Sequence, residues 1–523
     1  LWVIVRKQTN SLLFSWIAGC ESSFASKVTV CFTLKIFMKR VVIIGGGITG
    51  LAAAHRVIER AAESGVAVEL TLLEASDRLG GIVQTHERDG FLLERGPDSF
   101  ISEKPATLEL SERLDLNSRL IQTTENYRRS FIVKQRRLLP VPEGFHLLAP
   151  SRLWPFLKSD IFSWPGKARM VCDLLLPRRN ANGNEIDETL AEFVRRRLGN
   201  EALERMAQPM IGGIYTANPE QLSLRATMPR FLEMEREHGS LIRALRKQNK
   251  AANDRSGGDS NTSGARYSLF LSFDHGMQVL TDKLEQRLIE SNNAGVSRTS
   301  IRVNTKVESI VREPDDGSTK WRVAIAGGEN LVADAVCLAL PAYVSSHLLS
   351  KLDPQLATEV AAIPYASSAT INLAYKRADI PHPLDGFGFV VPFIEKRSLI
   401  ACTFSSVKFP GRAPEGHELL RVFAGGALQP EIFELDEEEL LERVRADLRD
   451  LLGIERAPLV HEVSKWARSM PQYHVGHLER TTRIAERVAA LPGLFLAGNA
   501  YNGLGIPDCI RSGETAADSM NAL

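Results

Sequence analysis

Gly45, Gly47 and Gly50 stand at G-x-G-x-x-G spacing in the run RVVIIGGGITG, with Gly46, Ile48 and Thr49 between them. In such a run the first glycine permits a tight turn, the second lets backbone approach a pyrophosphate, and the third lets a helix lie close to a sheet. The N–H groups opening that helix, and its positive dipole end, would then face the phosphates. Downstream, the apolar run VELTLL ends at Glu74 and Ala75, where a dinucleotide fold places the carboxylate that accepts ribose hydroxyls. The separation exceeds the roughly 20 residues usual for this arrangement, and the polar AAESGVA accounts for the excess. Glycine-rich turns arise by chance. Strand, turn, helix, strand and acid together point to a bound dinucleotide.

Other groups have weaker claims. Gly80-Gly81 behind Arg78 makes a flexible turn whose N–H groups could meet the cofactor's phosphate chain, and Gly96, Pro97, Asp98 and Ser99 form a second turn rich in hydroxyl and amide donors. Arg128, Arg129, Lys134, Arg136 and Arg137 read first as a solvated face, with a carboxylate-binding rim as the rival. His474 and His477 sit three residues apart in a loop-like stretch and read as structural. The six cysteines are scattered without a C-x-x-C pair, which supports neither a disulfide framework nor a metal site and suits a reducing, cytosolic compartment. No compelling acid–base pair is present, so catalytic side chains remain unassigned.

The elements that must hold these residues can be read from the pattern. Val41 to Ile44 make a strand buried on both faces, and Leu51, Ala52, Ala53, Ala54 and Val57 continue as the following helix. Residues 105–118 and most of 150–250 are helical in pattern; residues 121–150 carry two short strands. IRVNTKVESI at 301–310 has strand character, and the strand at 335–340 resembles the second cofactor-facing strand of a discontinuous nucleotide domain. Residues 345–455 alternate strands with one helix, LDEEELLERVRADLRDLL, whose charges mark a solvated face. The chain closes with a short strand, a Gly- and Asn-rich turn and a helix from about Pro507. Its length of 523 residues implies two or three domains, and a net charge of +1 argues against a general nucleic-acid binder. No stretch has the apolar length of a membrane span, so any membrane contact is peripheral. Residues 1–37 read as an artefactual or disordered extension ahead of Met38-Lys39-Arg40, in preference to a leader built on Lys7 and SLLFSWIAGC.

The motifs GGGITG, EASDRLGG, ERGPDSF, HGMQVL, KWARSMPQYHVGH and AGNAYNGLGIPDCIRSG resemble those of the FAD-dependent porphyrinogen oxidases, the coproporphyrinogen III and protoporphyrinogen oxidases. That family lies within the flavoprotein group that also holds monoamine oxidases and phytoene desaturases. The resemblance runs from Met38 to the C-terminus. It implies an α/β fold with a Rossmann-like FAD-binding domain assembled from residues 38–120, 270–345 and 456–523. An α+β substrate-binding domain (121–150 and 346–455), a helical subdomain (151–250) and a flexible insertion (251–268) complete the expectation. Gly45 through Gly50 would cradle the pyrophosphate, Glu74 and Ala75 the adenosine ribose, and Gly96, Pro97, Asp98 and Ser99 the flavin side. Val307 would pair by backbone with adenine, Trp466 would lie near the isoalloxazine, and Leu504, Gly505 and Ile506 would approach its pyrimidine edge. Ile82 departs from the Lys that relatives often carry. The implied reaction oxidises a porphyrinogen to a porphyrin with O2 as acceptor and H2O2 released, coproporphyrinogen III preferred over protoporphyrinogen IX. Arg129 is the expected propionate partner. FAD is expected to be non-covalent, since Cys509 follows Pro507-Asp508 and lies outside any Ser-Gly-Gly-Cys turn. Other haem-pathway enzymes are the expected protein partners.

Overall fold

Val41, Val42, Ile43 and Ile44 are at most 4% exposed, as a strand covered on both faces requires, and they form the body of β1 (Lys39–Ile44). Burying each such side chain is worth about 1.5–3 kcal/mol. The computed structural model of the chain describes residues 38–179, 187–256, 270–294, 297–315 and 318–521.

β1 is followed by α1 (Ile48–Ser64) and β2 (Val68–Leu73), with β3 (Ser297–Arg302), β4 (Ala335–Leu338) and β5 (Leu494–Leu496) much later in the chain. These strands form one five-stranded sheet in the order β3-β2-β1-β4-β5, all parallel. In that register Ile44 lies beside both Leu73 and Leu338, so the carboxyl ends of the three central strands finish level with one another. Open α/β sheets bind ligands beyond such ends. The last helix, α2 (Ile506–Asn521), lies against α1 so closely that a Cβ on Gly513 would sit 2.3 Å from the Thr49 carbonyl oxygen. Arg56 and Arg60 on α1 both donate to Asp518 on α2, at 2.9 and 2.7 Å. Segments from opposite ends of the described chain thus share one core.

The run 301–310, expected as a single strand, is divided. β3 ends at Arg302, and a second strand, Val307–Asp315, pairs antiparallel with Ser318–Ile325. Asn304 turns the chain between them with φ +51, a conformation asparagine tolerates better than most residues.

A seven-stranded sheet forms the second layer, in the order Val460–Pro471, Tyr365–Lys376, His417–Gly425, Leu399–Phe404, Gly388–Val390, Phe131–Lys134, Arg137–Pro140. Here one expected boundary is corrected. Val460–Pro471, assigned from the sequence to the nucleotide domain, is hydrogen-bonded along Tyr365–Lys376, from Val460 opposite Ala374 to Pro471 opposite Tyr365. A long ladder partner cannot be read from one strand's own residues. Helix Glu437–Leu452 buries Leu440, Val444, Leu448 and Leu451, with Glu439 and Arg443 paired outside, as the charge pattern required.

The helical region includes Leu153–Lys158, Trp164–Val171, Leu190–Arg197, Gln208–Tyr215, Pro229–His238 and Leu241–Ser256. A fully buried pair, Arg197 with Asp173, ties it together; Arg197 also donates to the carbonyl of Gly239 at 2.7 Å. The polar stretch 251–268, expected to be irregular, begins as helix, because Leu241–Ser256 extends through its first six residues. The rest of that stretch, like the extension 1–37, lies outside the described residues.

Candidate flavin and substrate site

The glycine turn is shaped by backbone crowding. Gly45 adopts φ +109 and approaches Ala339, and a Cβ on Gly50 would lie 1.8 Å from the Gly45 carbonyl oxygen. Gly47 is the exception, with nothing within 4 Å of where its Cβ would be. That open side is where a pyrophosphate fits. Gly80 donates to the Gly46 carbonyl at 2.8 Å, which lays the Gly80-Gly81 loop over the turn. At the end of β2 the Glu74 carboxylate accepts from Gly46 N at 2.7 Å and from Ser76 N at 2.8 Å, so it is fixed at the mouth of the turn with Ala75 beside it. Thr305 donates its N–H to the Glu74 carbonyl at 2.8 Å, which brings Val307 to the same edge. The residues expected to hold the adenosine and pyrophosphate halves of FAD therefore converge, and their open faces fit that group.

The segment after Phe91–Glu94 is gripped from the other sheet. Asn372 donates to the Glu94 carbonyl (3.0 Å), while Thr370 and Trp466 donate to that of Arg95 (2.6 and 2.8 Å). Arg421 donates to the Gly96 carbonyl. A Cβ on Gly96 would lie 1.7 Å from the Ile82 carbonyl oxygen, so the Gly96-Pro97 turn is pressed against the Gly81-Ile82 loop. Trp466, expected beside the flavin ring, thus has its indole N–H committed to positioning this segment. Burial works to raise the Asp98 carboxyl, but Lys408 at 3.0 Å and Arg421 outweigh it and hold Asp98 well below the usual carboxylate range. Glu94 has no such close cation. Burial pushes its carboxyl up to about 7, against hydrogen bonds from Met277 N and Thr85.

Next to this segment is a cavity of about 810 Å³. Phe100, Met228, Phe231, Met234 and Phe270 supply apolar walls, and Ser99, Leu504, Gly505 and Ile506, all expected at the cofactor, also line it. The turn ahead of α2 is held by a ring that also lines the cavity. The Tyr473 hydroxyl donates to the Asn499 carbonyl at 2.5 Å and accepts from Gly503 N at 2.8 Å. Tyr473 stacks on His477 with centroids 3.9 Å apart, and His477 Nε2 lies 3.2 Å from the Tyr501 carbonyl oxygen. Burial drops the His477 imidazole to about 4, leaving it neutral. These histidine contacts are structural, although His477 opens a helix, His477–Ala489, where a loop was expected.

Arg129 is not among the residues lining the cavity. Its Nε donates to the Asp385 carbonyl at 2.6 Å and its guanidinium pairs with the Asp385 carboxylate, so the residue expected at a propionate stands outside this cavity's lining. The cations that do line the cavity are Lys104 and Arg230. Lys104 donates to Asp508 at 2.5 Å, and Asp508, 2% exposed, also accepts from Gly505 N and Arg511. Sequence reasoning missed Lys104, Arg230 and Asp508. An acid in the first turn of a helix reads as dipole compensation, and isolated cations between apolar residues carry no periodic signal.

Comparison with known proteins identifies the family. Residues 48–521 match the flavin containing amine oxidoreductase family. The coproporphyrinogen III oxidase of Bacillus subtilis is 34% identical over 93% of this chain and 98% of that protein. The coproporphyrinogen III oxidase of Propionibacterium freudenreichii subsp. freudenreichii is 36% identical over 92% and 90%. A crystal structure from Exiguobacterium sp. 255-15, described provisionally as a protoporphyrinogen oxidase, superposes with a TM-score of 0.79 at 33% identity, covering 92% of this chain and 99% of that one. With its dinucleotide turn, level parallel strands and adjoining cavity, the chain belongs to the flavin-containing amine oxidoreductase family and is an FAD-dependent oxidoreductase.

Proposed function

We propose that the chain oxidises a porphyrinogen to a porphyrin in haem synthesis, taking coproporphyrinogen III in preference to protoporphyrinogen IX. The observation that carries this reading is the meeting of two features at one turn. Leu504, Gly505 and Ile506, expected at the flavin's pyrimidine edge, also line a cavity of about 810 Å³, in the range of pockets that enclose small-molecule ligands. The named activities of the relatives from Bacillus subtilis and Propionibacterium freudenreichii subsp. freudenreichii support the choice of substrate.

FAD, held by the turn 45–50 and Glu74, would supply the two-electron oxidation chemistry, and loss of six hydrogens from the macrocycle would be balanced by reduction of three O2 to three H2O2. The protein's task is placement. Apolar walls from Phe100, Met228, Phe231 and Phe270 exclude water from one face of the tetrapyrrole. Tyr473 and His477 hold the turn 499–503, and Trp466, Thr370 and Arg421 hold residues 95–96, so both protein edges of the reacting space are pinned by hydrogen bonds. Binding of FAD is non-covalent: burial pushes the Cys509 thiol up to about 12, which keeps it protonated and a poor nucleophile.

The test feeds purified holoprotein with chemically reduced coproporphyrinogen III and protoporphyrinogen IX and follows porphyrin fluorescence against an enzyme-free control. Faster formation of coproporphyrin, with the higher kcat/KM, is the expected result; no acceleration with either compound overturns the reading. Acid precipitation should leave the yellow colour in the supernatant. The site of action is cytoplasmic, with peripheral membrane contact through Trp154 and Trp164, which are 67% and 70% exposed beneath Lys158 and Lys167. Among the described residues no helix is long and apolar enough to cross a membrane. Co-sedimentation with anionic vesicles, lost on changing both tryptophans to serine, checks that contact.

A further inference from the structure

The two cations of the cavity differ in one respect. Lys104 is already paired with Asp508. Arg230, near the start of helix Pro229–His238, lines the cavity with its guanidinium 5.0 Å from the Phe231 ring centroid and no carboxylate in ion-pair range among the described residues. From the next helix, Leu241–Ser256, Gln248 also reaches the cavity and is exposed. The acids lining the same cavity are Glu103 and Asp508, and Asp508 is neutralised by Lys104 and Arg511.

We propose that Arg230, assisted by Gln248, is the carboxylate-recognition subsite of this cavity and the residue that favours substrates carrying carboxylates on more of their rings. The argument rests on the porphyrinogen reading and extends it to a named wall. A guanidinium presents paired N–H donors matched to a carboxylate, and a primary amide adds a third donor. Such a cation stacked on an aromatic ring is held in place without an acid of its own to displace, so a substrate carboxylate gains the full charge-assisted pair. At Lys104 the same carboxylate would first have to compete with Asp508. A tetrapyrrole with a propionate on every ring presents a carboxylate to Arg230 in any in-plane orientation. One with vinyl groups on two rings does so in only some of them, and loses affinity in proportion.

Direct binding tests this without turnover. Coproporphyrin III and its tetramethyl ester are titrated into FAD-loaded wild type, Arg230→Gln, Arg230→Lys and Arg129→Gln, following porphyrin fluorescence. Wild type and Arg129→Gln should bind the free acid at least tenfold more tightly than the ester. Arg230→Gln should weaken binding of the acid by about ten- to a hundredfold, as expected for loss of a charge-assisted contact, and leave ester binding and the flavin spectrum unchanged. Arg230→Lys should restore part of the difference. Acid binding by Arg230→Gln within twofold of wild type overturns the subsite while leaving the porphyrinogen reading intact. Wild type that binds neither porphyrin overturns both.

Discussion

At the nucleotide end the structure works through backbone, whereas in the cavity it works through side chains. The turn 45–50, the Gly80-Gly81 loop and the ends of β1 and β2 leave space and N–H groups for a phosphate, and only Glu74 contributes a functional side chain. The cavity takes Lys104, Arg230, Gln248, Tyr473 and Asp508 from five separate segments of the chain. A backbone site tolerates almost no added atom. A side-chain site can lose one member and keep its shape.

The largest effect should come from breaking the backbone end. Gly50→Val would drive a side chain into the Gly45 carbonyl, 1.8 Å from the new Cβ. The expected result is protein that purifies without flavin absorbance, or with FAD affinity reduced by about a hundredfold or more, equivalent to roughly 3 kcal/mol of overpacking. Wild-type affinity in this variant would show that the turn is not the phosphate site.

Two buried titrating groups sharpen the comparison next, because they act in opposite directions. His477, lowered from 6.5 to about 4, contributes stability that is present above pH 6.5 and lost as pH falls through about 4. Glu94, raised from 4.5 to about 7, contributes stability that is present below pH 4.5 and lost as pH rises through about 7. Each shift is worth about 3 kcal/mol. In wild type they offset one another between roughly pH 4.5 and 6.5. His477→Gln should therefore unmask a loss of stability with rising pH, and Glu94→Gln a loss with falling pH. Calorimetric Tm from pH 4 to 8 reads both slopes, and a variant whose profile parallels wild type would remove that residue from the account.

A smaller change is expected at Tyr473, where the cavity wall holds the turn ahead of α2. Tyr473→Phe removes the hydroxyl bonded to Asn499 and Gly503 and leaves those backbone groups short of a partner, at about 1–3 kcal/mol. Flavin fluorescence and midpoint potential should shift and kcat should fall about tenfold, with KM for porphyrinogen little changed, because the apolar ring remains. A rise in KM alone would make Tyr473 a wall of the cavity and nothing more. The least effect is assigned to Arg129→Ala, since Arg129 is committed to Asp385: KM should stay within about twofold of wild type, and a tenfold rise would return this residue to the substrate.

What was legible in the amino-acid sequence follows the same division. G-x-G-x-x-G, the preceding apolar run and Glu74 are contiguous or nearly so, and the hydrogen bonds that define a βαβ unit are local. The strand, turn, helix and acid could therefore be placed by inspection, as could the amphipathic helix Glu437–Leu452 and the last helix to within one residue. The pairing of Val460–Pro471 with Tyr365–Lys376, the docking of Phe131–Lys134 beside Gly388–Val390, and the company kept by Arg230 depend on which distant segments of the chain meet. Periodicity carries no information about partner choice. The sequence alone pointed to a bound dinucleotide, because backbone geometry is encoded where glycine is obligatory. Only the tertiary structure decided which cations line the cavity and which are paired elsewhere, because an arginine's partners are set by which segments meet in the fold.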